Sequence, residues 1–289
     1  MPEIKPSGPN PLQKYFRQPK IYLSLPSKGH WYKEGSIEMT ENGELPVYAM
    51  TAKDELAFKT PDALLNGQSV VDVIQSCVPQ IKDAWEIKSY DLDTILIAIR
   101  IATYGETMDF TFTVPGANEQ VTHSQNLPVL LDQIKSATIE TEIILDDGLK
   151  FSIRPLTYKD MTTASQQTFA QQKMYSAVQD SQLPDEDKAK KFNESFKALT
   201  DLNSSIMLKN ISAITMQDGT VVSDPVQIKE FVDNANAKII KEIETKVIAL
   251  RSQGAVKPLK LKATEEQIKK GAPATYEVPI TFDTANFFV

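Results

Sequence analysis

Between Asp91 and Gly105 the chain reads Asp-Leu-Asp-Thr-Ile-Leu-Ile-Ala-Ile-Arg-Ile-Ala-Thr-Tyr-Gly, and no other stretch so narrows the folds open to it. Asp91 is expected to cap a helix that Tyr104-Gly105 stops. Leu92, Ile95, Leu96, Ile97, Ile99 and Ile101 would then point in nearly every direction. A helix apolar all round must lie inside a domain or beneath a partner. The run is about half a membrane span and carries Arg100, so it is assigned to the centre of an N-terminal core.

Short β elements precede it. Ile21, Leu23 and Leu25 alternate with Tyr22 and Ser24, and Pro26 and Gly29 end the run. Ile37 to Met39 and Pro46 to Met50 flank Asn42-Gly43, which suits a tight hairpin. Thr51 should cap a short helix, with Glu55 folding back over the first turn. Thr60-Pro61-Asp62 should start another, and Ser69 to Cys77 a third, ended by Pro79. Beyond the central helix, Met108 to Val114 reads as a strand turned by Pro115-Gly116. Ile139 to Leu145 and Leu149 to Ile153 read as a hairpin across Asp146-Asp147-Gly148, packed with the first hairpin or against the helices.

After Arg154-Pro155 the texture becomes helical. Tyr158 to Asp180 is polar and Gln-rich, with Met161, Phe169 and Met174 on a thin apolar face. Pro184-Asp185-Glu186 opens a helix through Phe192, Phe196, Leu199, Ile206 and Leu208. Ile211 to Val222 holds an Asp218-Gly219 turn. One long amphipathic helix is expected from Asp224-Pro225 to Gly254, with a stripe one partner helix can cover. The expected fold class is therefore α+β: an N-terminal mixed domain with short β hairpins around a buried helix, then a mainly helical part ending in a strand. The expected divisions are a proline-rich extended arm over 1–19, a mixed domain over 20–155, a mainly helical domain over 156–254, and a basic linker with an aromatic strand over 255–289. That strand carries Tyr276, Val278, Ile280 and Phe282, followed by Phe287-Phe288-Val289.

Catalytic chemistry finds little to work with. The single cysteine, Cys77, rules out an intrachain disulfide and a thiolate-cluster zinc site, and its apolar neighbours suit a small buried residue. Neither His30 nor His123 sits in a metal-binding spacing, and the glycines form no phosphate loop. Asp146-Asp147-Gly148 lacks the ligand alternation of a calcium loop. Asp91/Asp93 and Asp185/Glu186/Asp187 oppose helix dipoles without any need for acid–base work. No catalytic, cofactor or metal residue is assigned. The formal net charge of −7 argues against broad phosphate-backbone binding. The lysines between Lys257 and Lys270 read as a solvated linker rather than a nucleic-acid surface. No apolar leader opens the chain, so a cytosolic protein is expected. The loop Ser27-Lys28-Gly29-His30-Trp31-Tyr32 reads either as a recognition surface or as a cap in which Trp31 closes the β unit.

Several segments together resemble the baseplate hub subunit family of T4-like, contractile-tailed phages. They are Tyr22-Leu23-Ser24-Leu25-Pro26-Ser27-Lys28-Gly29, Leu45-Pro46-Val47-Tyr48-Ala49-Met50-Thr51-Ala52-Lys53-Asp54-Glu55, and Lys59-Thr60-Pro61-Asp62-Ala63-Leu64-Leu65-Asn66-Gly67. Cys77-Val78-Pro79, the run Leu96 to Gly105, and the ending Pro279-Ile280-Thr281-Phe282-Asp283 with Asn286-Phe287-Phe288 continue the likeness. The resemblance implies a non-enzymatic late protein of the bacteriophage that takes part in forming the central hub. It would act in the host cytoplasm during tail assembly and then reside in the virion tail. Its partners would be other hub or tail proteins, with the tape measure protein a further candidate, and neither nucleic acid nor membrane. The expected partner-binding anchors are Tyr15, Phe16, Trp31, Phe282, Phe287 and Phe288. Two rival readings stand beside it. One is a tail assembly chaperone of the tape measure protein, suggested by the hairpin-then-helix segment from Ile143 to Gln179. The other is a baseplate-borne hydrolase, which needs an acidic pair in a cleft.

Overall fold

The computed structural model describes residues 10–58, 67–135, 141–146, 148–179, 182–253 and 256–280. The architecture is α+β, with small antiparallel sheets of short strands set among helices.

Strand β1 (Pro19–Ser24) pairs antiparallel with β2 (Glu44–Tyr48), placing Ile21 opposite Val47 and Leu23 opposite Leu45. The expected partner of β2, Ile37 to Met39, lies elsewhere: Ile37 bridges Ile81. The Asn42-Gly43 turn does form, since Gly43 N–H donates to the Thr40 carbonyl at 2.8 Å and Gly43 has φ +71°. Pairing with β1 wins because it buries Leu23, Leu45 and Val47 completely on one face. Helix α1 (Ala52–Phe58) is capped by Thr51, as expected, but Asp54 closes the cap instead of Glu55. Its carboxylate accepts the Thr51 N–H at 2.7 Å, and the Thr51 hydroxyl accepts the Asp54 N–H at 3.3 Å. Asp54 occupies the third helical position, from which the reciprocal bond is made. The start expected at Thr60-Pro61-Asp62 lies outside the described residues.

Helix α2 (Gln68–Cys77) buries Val70, Val71, Val73, Ile74 and Cys77 against α3 (Ser89–Tyr104). Helix α3 is the centre of the first core, with Ile95, Ile97, Ala98 and Ile99 fully inaccessible. It begins before Asp91, at Ser89, so Asp91 is not its cap; Gly105, at φ +96°, ends it. Strands β3 (Thr107–Thr113) and β4 (Gln120–Asn126) form a hairpin that leads into α4 (Leu127–Lys135) on the same core.

Strands β5 (Glu142–Ile144) and β6 (Lys150–Ile153) form the second expected hairpin, in a separate sheet. That sheet continues through β7 (Ile211–Thr215) to β8 (Val221–Val222). Between β6 and β7 the chain leaves as α5 (Tyr158–Gln179) and returns as α6 (Asp185–Asn210). The sheet thus spans residue 155, where the sequence texture changes. Ser89 N–H donates to the Leu156 carbonyl and Tyr158 N–H to Ile87, while Trp85 stacks on Tyr158 at 5.5 Å, so the root of α5 is seated on the first core. The helix expected from Asp224 to Gly254 is two helices, α7 (Pro225–Asn234) and α8 (Ala237–Gln253). Ala235 is extended and the Asn236 side chain accepts the Ile239 N–H at 3.0 Å, so a new cap ends the first helix and starts the second. Both lie over the second core, formed around Ile143, Phe151, Ile214, Ile228 and Ile243.

The expected basic linker is folded. Strand β9 (Leu259–Lys262), helix α9 (Glu265–Lys269) and strand β10 (Thr275–Val278) form a unit with its own Thr264/Gln267 capping box. Lys260 and Lys262 face water while Leu259 and Leu261 point the other way, a period of two concealed by the lysine count. The unit packs on the β3–β4 hairpin through Val114, Ala272, Tyr276 and Val278. Gly116 and Gly271 meet there so closely that a Cβ on Gly116 would lie 2.3 Å from the Gly271 carbonyl oxygen. Among the described residues no helix is long and apolar enough to cross a membrane.

Candidate docking surfaces

Two buried carboxylates, Asp91 and Asp54, are tied into the fold. Asp91, fully inaccessible, accepts the Ser27 N–H at 2.9 Å through Oδ1 and the Tyr32 hydroxyl at 2.8 Å through Oδ2. Burial raises the Asp91 carboxyl, against the bonds that favour its charged form, and burial with the Asp91 charge raises the Tyr32 phenol. The Tyr32 oxygen also accepts the Lys88 N–H at 3.0 Å. This node fastens the loop after β1 to the first turn of α3. Asp54 is buried in a second node with Arg17, Thr51 and Ser76. Cys77 lies beside it, and burial, with the neighbouring Asp54 charge, pushes its thiol up to about 12. An attacking thiol requires the opposite shift.

His30 meets the edge of Trp31, and His123 the edge of Phe110. Among the described residues no three His, Cys, Asp or Glu side chains gather as metal ligands. Asp185, Glu186 and Asp187 occupy the first turn of α6, where the helix dipole favours them. Asp146 faces Lys238 at 3.4 Å.

The expected anchors fall in different places. Tyr15 and Phe16 are 74% and 56% exposed, on and just after a 3-10 turn at Pro11–Tyr15, with Leu12 and Tyr22 exposed nearby. Trp31 is half-buried with φ +70°; Tyr32, rather than Trp31, ties that loop to the core. Phe282, Phe287 and Phe288 lie outside the described residues.

A larger surface lies on the α5–α6 hairpin. Helix α5 buries one of its 22 residues, Val178, and α6 three of 26, Ser195, Met207 and Asn210. Between them runs a groove of about 490 Å³, lined by Gln171, Tyr175, Phe192, Ser195, Phe196 and Leu199 among others, none of them charged. Tyr175 and Phe192 pack at 4.7 Å between ring centroids, and Ser195 Oγ donates to Gln171 Oε1 at 2.9 Å. Phe196 is 73% exposed, and Phe169 and Tyr175 are exposed on the same hairpin. The spacing of Phe192, Phe196 and Leu199 is visible in the sequence, where it reads equally well as an inward stripe.

A model of the family described as T4 bacteriophage base plate protein matches residues 18–267. No curated protein and no solved structure matches the chain.

Proposed function

The chain belongs to the T4 bacteriophage base plate protein family, and on that premise we propose that it is a structural or assembly component of the baseplate's central hub, binding other tail proteins. Family membership makes it a phage baseplate protein, with the virion tail as its place. The assignment to the hub rests on the likeness of residues 20–105 and of the C-terminal segment to hub subunits. Binding through exposed apolar segments rests on one observation above all. The α5–α6 hairpin buries few side chains and leaves an uncharged groove with Phe196 standing out of it. Contact with a neighbour would remove that surface from water.

The proposal assigns no reaction to the chain, because the buried Asp54 and Asp91 and the half-buried Tyr32 serve as internal fastenings. The proposed partners are proteins, and neither nucleic acid nor membrane is included. Lys260 and Lys270 face Glu277 and Glu119.

Mass spectrometry of purified virions, with cross-linking of intact baseplates, tests the proposal. The expected result is the chain in the particle, cross-linked to hub proteins through α5–α6 or the N-terminal segment. Absence from the particle with co-purification of the tape measure protein would replace the hub reading by the assembly chaperone. Cross-links confined to the baseplate periphery would remove the central-hub assignment.

A further inference from the structure

Residues 10–16 close their backbone hydrogen bonds locally. The Gln13 and Phe16 N–H groups donate to the Asn10 and Gln13 carbonyls, and the Asn10 side chain accepts the Leu12 N–H at 2.9 Å. One residue later, Arg17 spreads its guanidinium across the body. Nη1 donates to the Ala49 carbonyl at 2.7 Å and lies 3.6 Å from Asp54 Oδ2. Nη2 donates to the Ser76 carbonyl at 2.6 Å and to Ser76 Oγ at 2.9 Å. The guanidinium carbon stands 5.7 Å from the centre of the Tyr48 ring.

The receiving groups are themselves held. Asp54 Oδ2 accepts the Thr51 N–H, the Thr51 hydroxyl and the Ser76 hydroxyl, at 2.7, 2.8 and 3.0 Å. The acceptors come from the end of β2, from α1 and from α2, and a planar fork suits them in a way an ammonium point charge does not.

We propose that Arg17 is a clamp that fixes where the N-terminal segment leaves the body and so orients Leu12, Tyr15 and Phe16 toward a neighbouring tail protein. The inference rests on the docking reading and adds to it the residue that positions the docking segment. Arg17 acts as a positioning residue: an oriented segment loses less conformational freedom on binding than one free to swing.

Limited trypsin digestion of the full native chain tests the clamp, with mass spectrometry following the fragment that begins at Gln18. Cleavage after Arg17 reports the population in which the clamp is open. Arg17→Lys keeps a tryptic residue but loses the fork, and its cleavage should rise about tenfold. Ser76→Ala keeps Arg17 itself as the cleavable residue and removes one acceptor, and should raise cleavage about threefold. Unchanged far-ultraviolet circular dichroism confirms that each variant is folded, and the single-hydroxyl change carries the test alone should the lysine variant unfold. Equal cleavage of wild type and folded variants would overturn the clamp. Virion incorporation separates the two ideas. A freed segment in a chain that still enters tails normally leaves the clamp standing and overturns its orienting role. Unchanged cleavage, with incorporation lost on deleting residues 1–16, overturns the clamp and leaves docking intact.

Discussion

Helix α3 and the α5–α6 hairpin use helical backbone to opposite ends. Eleven of the sixteen residues of α3 are buried, whereas α5 buries one of twenty-two. Helix α3 fills a core, whereas the hairpin leaves Phe169, Tyr175 and Phe196 exposed. The contrast separates two kinds of importance. A position can matter because the chain does not fold without it, or because a neighbour does not bind without it.

Three substitutions test how sharp that division is. The largest effect is expected from Ile97→Ala in α3, a fully buried side chain, which should lower unfolding free energy by about 3 kcal/mol in urea denaturation. A loss below about 1 kcal/mol would remove α3 from the centre of the core.

Asp93 gives an intermediate, pH-dependent effect. Burial raises its carboxyl to about 6, from an ordinary aspartate value of about 3.9. The folded chain therefore holds the proton more tightly than the unfolded one. Stability from this group is fully present below pH about 4 and is lost as pH rises to about 6 and beyond. Asp93→Asn should remove that slope, leaving the variant more stable at pH 7.5 by about 1–2 kcal/mol and close to wild type at pH 4. Parallel pH profiles for the two proteins would contradict the account of a half-buried carboxylate raised by desolvation.

The smallest effect on folding belongs to the hairpin. Phe196→Ser should change the unfolding free energy of the isolated chain by less than about 0.5 kcal/mol. Incorporation into phage tails, scored by immunoblot of purified particles, should nevertheless fall sharply. A destabilised chain with normal incorporation would reverse the comparison and make the hairpin a folding element.

Local chemistry made much of the fold legible. The all-round apolar run announces α3, Thr51 the cap of α1, Asp224-Pro225 the start of α7, and Asp218-Gly219 the turn between β7 and β8. What escaped was set by distance or masked by composition. Nothing near Leu45 says that its partner is Leu23 rather than the Ile37 segment, because the choice depends on which faces are buried together. Asp91 looks like a cap until Ser27, 64 residues away, is seen to take its carboxylate. The lysines of β9 hid an alternating strand, and Asn236 split a helix whose apolar stripe runs on through it. Of the surface, only the exposure of Tyr15 and Phe16 was readable, because the proline-rich sequence around them offers little to cover them. Phe196 was not, since an outward stripe and an inward one share the same spacing.

The four-stranded sheet gives the hairpin a fixed footing. Strands β6 and β7 are hydrogen-bonded neighbours, and the whole of α5 and α6 is interposed between them. Outgoing and returning helices therefore start and finish side by side, and their length is a free dimension of roughly 30 Å at 1.5 Å per residue. Adding or removing paired turns at the far end would lengthen or shorten the hairpin like a spacer, while the sheet beneath keeps its register.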